Sequence, residues 1–245
     1  HWHLTDNEAW RLDIKSFPNL AKHSSFRGYR EIIPPVYGSG FAKYGGYYSK
    51  EDVQELILFA KDLNIEIMPE IDLPAHSWAL LQIMPQLYDQ NSNKVSEDVG
   101  NYKNNTINPI LNETKEFLEK VLKDISKLFP FKVIHVGVDE RPKSAWEGSP
   151  IILDFIKKNN LITFDELQDF YINNIIKLNK QNNKITAAWN EAALKPLIDI
   201  GSGGGSGNIN KSCLIFAWEH PDVAIQSVKK GFQTIICPGQ KTYFD

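Results

Sequence analysis

Cysteine is scarce. The 245 residues hold two, Cys213 and Cys237, too few for a disulfide framework. Each lies in an apolar, strand-like run, where a small buried hydrophobe is the expected role. A dominant charge sign is also missing. With 27 basic and 30 acidic side chains the formal net charge is −3, so the electrostatics call for neither a nucleic acid nor an anionic membrane as partner. No apolar run approaches the roughly 18 residues of a membrane span, and no signal peptide is visible. The chain opens on HWHLTD without a methionine, so a native start upstream is expected and the terminus gives no compartment.

Low-complexity sequence is confined to GSGGGSG, Gly201 to Gly207. Its composition is that of a flexible linker, expected as a surface loop and open to being an engineered replacement. A phosphate-cradling loop would want a following Lys-Ser/Thr or a strand-to-helix setting. Neither is there.

What remains alternates. Short β-branched runs end in polar tips and are followed by helical periods. In SKEDVQELILFAKDLN, Ser49 and Asp52 form a capping-box pattern, and Val53, Leu56, Ile57, Ala60 and Leu63 predict one apolar face. NETKEFLEKVLKDISKLF predicts a helix with Asn112 as N-cap and Phe117, Val121, Ile125 and Leu128 inward. Thr163 and Glu166 cap the next helix, and DVAIQSVKK predicts a short one stopped at Gly231. Strands are expected at HWHLTD, IEIMPEID, FKVIHVGVDE, KITAAWNEA, CLIFAWEH and QTIICPG. Parallel strands wrapped by helices follow from this order. Polar or aromatic groups end nearly every strand, which fits a (β/α)₈ barrel better than the single crevice of an open sheet. With six strands visible, the expectation is one barrel domain over residues 1–245, partial, with its first and last strands missing.

Four groups carry possible chemistry. Asp139 and Glu140 end HVGVDE; within a strand one of them would point away from the barrel interior, but past its end both can turn to the mouth. His1 and His3, with His76 and His135 at other strand ends, form a pattern that can hold a divalent metal, as in amidohydrolase-type barrels. PEIDLPAH brings Glu70, Asp72 and His76 into one turn with prolines fixing the backbone. Trp189, Trp218 and Tyr243 form an aromatic set, and Glu191 and Glu219 follow the two tryptophans closely, a better place for a sugar-stacking wall than for core.

Taken in series, these stretches resemble glycoside hydrolase family 20, the β-N-acetylhexosaminidases. HWHLTDNEAWRLDIK is similar to that family's opening signature, PEIDLPAH to PEIDxPGH, HVGVDE to HxGGDE, AAWNEA and FAWEH to its tryptophan strands, and TYFD to its YLD tripeptide. The resemblance implies a (β/α)₈ catalytic barrel acting on terminal β-linked N-acetylglucosamine or N-acetylgalactosamine, with no metal and no cofactor. It further implies substrate-assisted retention, in which the acetamido oxygen of the substrate is the nucleophile. Glu140 is then the general acid and base, with a raised pKa, and Asp139, ionised, the group that receives the acetamido N–H. Trp189 and Trp218 wall the acetamido pocket, Tyr243 donates to the acetamido oxygen, and Asp245 binds outer hydroxyls. Asp6 and His76 form a pair behind the acid, and His135 is structural. A periplasmic, secreted or lysosomal setting is implied in the same way. Two alternatives stand beside this reading, a non-catalytic N-acetyl-sugar-binding relative and the metal-dependent barrel. The departures are Asn7 in place of Asp, Ala75 in place of Gly, and Val138 in place of the second Gly of HxGGDE. That last change narrows the pocket or faces the core. The sugar-gripping arginine of the family's first strand, and the third tryptophan and glutamate of its last, have no counterpart in the chain.

Overall fold

Six of the β-branched runs resolve into a single parallel sheet in the computed structural model, which describes residues 1–35, 40–197, 199 and 201–242. The strands of this sheet are β1 (Trp2–His3), β6 (Pro69–Glu70), β7 (Val133–His135), β8 (Ile185–Trp189), β9 (Leu214–Ala217) and β10 (Thr234–Ile236). Their order, β1-β6-β7-β8-β9-β10, is the chain order, and every neighbouring pair is parallel. Two small antiparallel ribbons lie between β1 and β6: β2 (Thr5–Asp6) with β3 (Ala9–Trp10), and β4 (Phe26–Arg27) with β5 (Tyr44–Gly45). Eight helices are described: α1 (Pro18–Ser24), α2 (Lys50–Asp62), α3 (Trp78–Ile83), α4 (Asn112–Leu128), α5 (Pro150–Lys158), α6 (Phe164–Gln181), α7 (Pro221–Lys229) and α8 (Gly239–Thr242). Consecutive parallel neighbours linked by helices make an α/β fold of the (β/α)₈ kind with six strands of the barrel wall present.

The main core lies between sheet and helices. Ile71, Ile134, Val136 and Ile215 from the strand runs meet Phe117, Val121 and Ile125 of α4 and Tyr171, Ile172 and Ile175 of α6 in one cluster. Both predicted capping boxes form. Ser49 Oγ accepts from the Asp52 N–H at 3.1 Å, and Thr163 Oγ1 from the Glu166 N–H at 3.2 Å.

Asn112 does not cap α4. Leu111 occupies the cap position without a side-chain bond, and Asn112 is the first helical residue. A missing cap costs about 1 kcal/mol, whereas each buried apolar side chain of α4, Phe117, Leu118, Val121, Leu122 and Ile125, contributes roughly 1.5–3 kcal/mol, so packing decides this helix. On α2 only Val53 and Ala60 are buried; Leu56 and Leu63, expected on the inner face, are exposed. That helix packs chiefly against α4, which covers a narrower stripe than the periodicity predicted. Cys213 is a buried free thiol as expected, while Cys237 is only half-buried.

The larger departure is Gly201–Gly207. Ser202, Gly203, Gly204 and Gly205 are buried rather than looped out into solvent. A Cβ on Gly203 would run into the Arg141 guanidinium, and one on Gly204 into the Leu194 carbonyl. Glycine is there for space, in a packed segment, and the linker-like composition has that origin.

Candidate active site

Every polar strand end singled out from the sequence lies on one face, at the C-terminal ends of the parallel strands. The turn after β7 shows how the two neighbouring carboxylates come to face the same way. Gly137, Val138 and Glu140 all have left-handed backbone, with φ of 67°, 77° and 47°, so the alternation of an extended strand stops at His135. The Asp72 carboxylate packs directly against Gly137, where any Cβ would meet it, so residue 137 must be glycine on both counts. Val138 is fully buried in the main core. Its side chain faces the core.

His76 ties the pair together. Its Nε2 is 3.5 Å from Glu140 Oε2 and 3.7 Å from Asp139 Oδ2, and its Nδ1 is 3.0 Å from Asp6 Oδ1. The Asp6–His76 pair expected behind the acid is thus in contact with both carboxylates. Burial alone would lower the His76 pKa, but Asp72, Asp139, Asp6 and Glu140 outweigh it and raise the value. Burial likewise opposes ionisation of Asp6, yet the His76 hydrogen bond and charge hold it low. An imidazolium between carboxylates is the resulting state.

The surroundings of Asp139 oppose its ionisation. Burial first, then the nearby Asp72, Glu191 and Glu70 charges, push its pKa well above the usual carboxylate range against the pull of His76. Asp72 is itself raised, mainly by burial, and neither of its oxygens has a hydrogen-bond partner.

Two indoles define the next wall. Trp189 Nε1 donates to Glu70 Oε1 at 2.9 Å, and its ring meets His135 edge-on with centroids 4.6 Å apart. Trp218 Nε1 donates to both oxygens of the buried Glu191, at 3.0 and 3.2 Å. The adjoining Asn190 accepts from the Trp218 N–H at 3.1 Å and donates to Glu219 Oε2 at 2.6 Å. His135 is fully buried with Nδ1 3.0 Å from Glu70 Oε1, the position of a structural residue. Tyr243 and Asp245 lie outside the described residues.

Glu70, Asp72 and Glu191 turn out to organise the site more than the sequence reading allowed. Their signal was present, an acid on the strand end beside each tryptophan or histidine, but partner identity needed the register of neighbouring strands. His1, Glu70 and His135 bring potential metal-ligating atoms within 4.8 Å of one another. Both oxygens of Glu70 are already engaged there, one with His1 Nε2 at 2.7 Å and one with His135. His3 faces Asp72, at 3.7 Å. The two histidines of the opening HxH thus both lie beside Glu70, and His3 reaches Asp72 as well.

Comparison with known proteins agrees with this geometry. The model of the glycosyl hydrolase family 20 catalytic domain matches residues 1–245. A beta-hexosaminidase of Vibrio furnissii is 33% identical over 246 residues, covering 100% of this chain and 38% of its own length. The beta subunit of human beta-hexosaminidase is 31% identical over 196 residues, 78% of this chain and 31% of that one. Among solved structures, the GH20 exo beta-N-acetylglucosaminidase of Vibrio harveyi in complex with N-acetylglucosamine superposes with a TM-score of 0.90 at 33% identity, over 98% of this chain and 36% of that one. The chain thus spans 38% of the Vibrio furnissii relative and 36% of the Vibrio harveyi structure.

Proposed function

The chain belongs to glycosyl hydrolase family 20, and from that premise we propose that its protein is a retaining exo-β-N-acetylhexosaminidase. The observation that supports the reading best is the left-handed turn that sets Asp139 and Glu140 side by side with His76 across both. A pair placed on one side of a glycosidic bond suits a reaction whose nucleophile comes from the substrate. The acetamido oxygen attacks the anomeric carbon while Glu140 gives its proton to the leaving oxygen, and the C–O bond to the aglycone breaks. An oxazolinium ion and a free alcohol result. Glu140, now a carboxylate, removes a proton from water as it attacks the same carbon, and the ring opens to the N-acetylated sugar with retained configuration.

Asp139 accepts the acetamido N–H in this scheme. Its raised pKa opposes that role until substrate enters. An amide donor and a developing positive charge both favour the ionised form, which is the form the role needs. Trp189 and Trp218 enclose the acetamido methyl. Tyr243 and Asp245 take the roles of acetamido-oxygen donor and hydroxyl acceptor by resemblance of TYFD alone. Among the described residues no helix is long and apolar enough to cross a membrane.

The test is hydrolysis of a chromogenic N-acetylglucosaminide beside the matching glucoside. Glu140→Gln and Asp139→Asn should each lower kcat by about 10²–10⁴, and the glucoside should be a poor substrate for every form. Equal turnover of the two sugars, or a Glu140→Gln protein of normal rate, contradicts the scheme.

A further inference from the structure

The segment Gly201–Gly207 takes no part in the chemistry just described, yet its backbone joins two walls of the site. Gly203 N–H donates to the carbonyl of Arg141, the residue after Glu140, at 2.6 Å, and Gly205 N–H donates to the Glu191 carbonyl at 2.7 Å. Gln168 of α6 repeats the connection with its side chain. It accepts from Arg141 Nε at 2.6 Å and donates to the Glu191 carbonyl at 2.9 Å. Arg141 is itself fully buried and bonded to Asp165 at 2.9 Å. On the other side, Glu191 holds the Trp218 indole. The segment is anchored at its far end, where Ser206 Oγ donates to Asp169 Oδ2 at 2.5 Å and the Asn208 N–H to the same oxygen at 2.8 Å.

We propose that Gly201–Gly207 is a brace that fixes Glu140 relative to Trp218, with Gly203, Gly205 and Gln168 as its positioning residues. Three features carry this. The two backbone bonds reach the residue next to the acid and the residue that holds the indole. Both glycines approach so closely that a methyl group has no room, since a Cβ on Gly205 would meet the Ala192 carbonyl and one on Gly203 the Arg141 guanidinium. Neither glycine has a left-handed φ, so close approach, and not backbone conformation, is what demands them.

The proposal rests on the hexosaminidase reading, and the experiment separates the two. The naturally expressed protein is assayed with a 2,4-dinitrophenyl and an alkyl N-acetylglucosaminide, because only the alkyl leaving group needs the proton of Glu140. Displacing an acid by a fraction of an ångström costs about 10- to 100-fold. Gly203→Ala should therefore lose about that factor in kcat/KM, which ends at aglycone departure and so excludes the later water attack, on the alkyl substrate and far less on the dinitrophenyl one. Gly205→Ala should act mainly through KM, by shifting Trp218. Ser206→Ala adds no atoms and loosens only the anchor, so it should show both effects weakly in a folded protein. Gly46→Ala is the control, since its Cβ meets nothing within 4 Å. If either brace variant proves unable to fold, the Ser206→Ala leaving-group profile decides. Losses equal on both substrates, or brace variants and Ser206→Ala that match Gly46→Ala, overturn the brace while leaving the enzyme reading intact. A wild type inactive on both substrates overturns that reading, and the brace with it.

Discussion

Trp189 and Trp218 lie at the ends of neighbouring strands, and each donates its indole N–H to a buried glutamate. The two glutamates nevertheless respond in opposite directions. Glu70 faces His135, His1 and His3, and although burial alone would raise its pKa, the histidine charges bring it below the usual carboxylate value. Glu191 faces Glu219 and Glu140, and burial together with these acids pushes it up to about 8. The hydrogen bond to tryptophan is common to both, so it does not decide the outcome. The charge of the surrounding side chains does. One half of the site is thus built on histidine–carboxylate pairs, the other on a carboxyl group that keeps its proton.

The strongest way to break the first half is Glu70→Gln. Removing one partner of a buried charged pair costs about 3–5 kcal/mol, measured as a fall in unfolding free energy in urea at neutral pH. A carboxylate held low in the folded state contributes stability above the ordinary unfolded value, and that contribution is lost as pH falls through the folded one. The deficit of the variant should therefore shrink in acid. An unchanged midpoint at neutral pH would refute the pairing.

Glu191→Gln probes the second half with the opposite sign. A carboxyl raised from 4.5 to about 8 contributes stability that is complete below pH 4.5 and is lost as pH rises toward 8, because the folded state keeps the proton longer. Glutamine still accepts from Trp218 and has no charge to bury. It should flatten this slope, leaving the variant more stable than wild type by roughly 4 kcal/mol at pH 8 and within about 1 kcal/mol of it at pH 5. Parallel stability curves for the two proteins would show that Glu191 does not hold its proton.

The smallest effects should separate the indoles themselves. Trp218→Phe keeps an aromatic face and should raise KM for an N-acetylglucosaminide about 3- to 10-fold with little loss of stability. Trp189→Phe also deprives an ionised Glu70 of a donor, adding about 1 kcal/mol of destabilisation. Equal stability of the two variants would erase the contrast drawn above.

Most of the architecture is legible in the sequence because β-branched runs, helical periods and both capping boxes report local preferences that tertiary packing keeps. Asp139, Glu140 and His76 are legible as candidates too, since the motifs carry them in order. Other features depend on contacts that no local pattern encodes. Leu56 and Leu63 lie on the apolar period of α2 and are exposed because α4 covers only part of it. Gly201–Gly207 has the composition of a spacer, and only the proximity of Arg141 and the Ala192 carbonyl reveals a packed segment. The charge state of Asp139 depends on Asp72, 67 residues away, whose N–H is bonded to Thr5 at 2.9 Å and whose carboxylate packs on Gly137.

Val138 has one more consequence, for how sequences of this kind drift. A β-branched residue at φ 77° carries a backbone penalty of about 1–2 kcal/mol. Glycine there would remove it, but would lose the burial of a valine, roughly 1.5 kcal/mol, and add unfolded-chain entropy of about 0.5–1 kcal/mol. The two alternatives differ by little, so valine and glycine at this position are close to interchangeable in stability. A lineage can cross from one to the other without a compensating change elsewhere. Valine beside the Asp139–Glu140 pair is then a neutral variant of the turn.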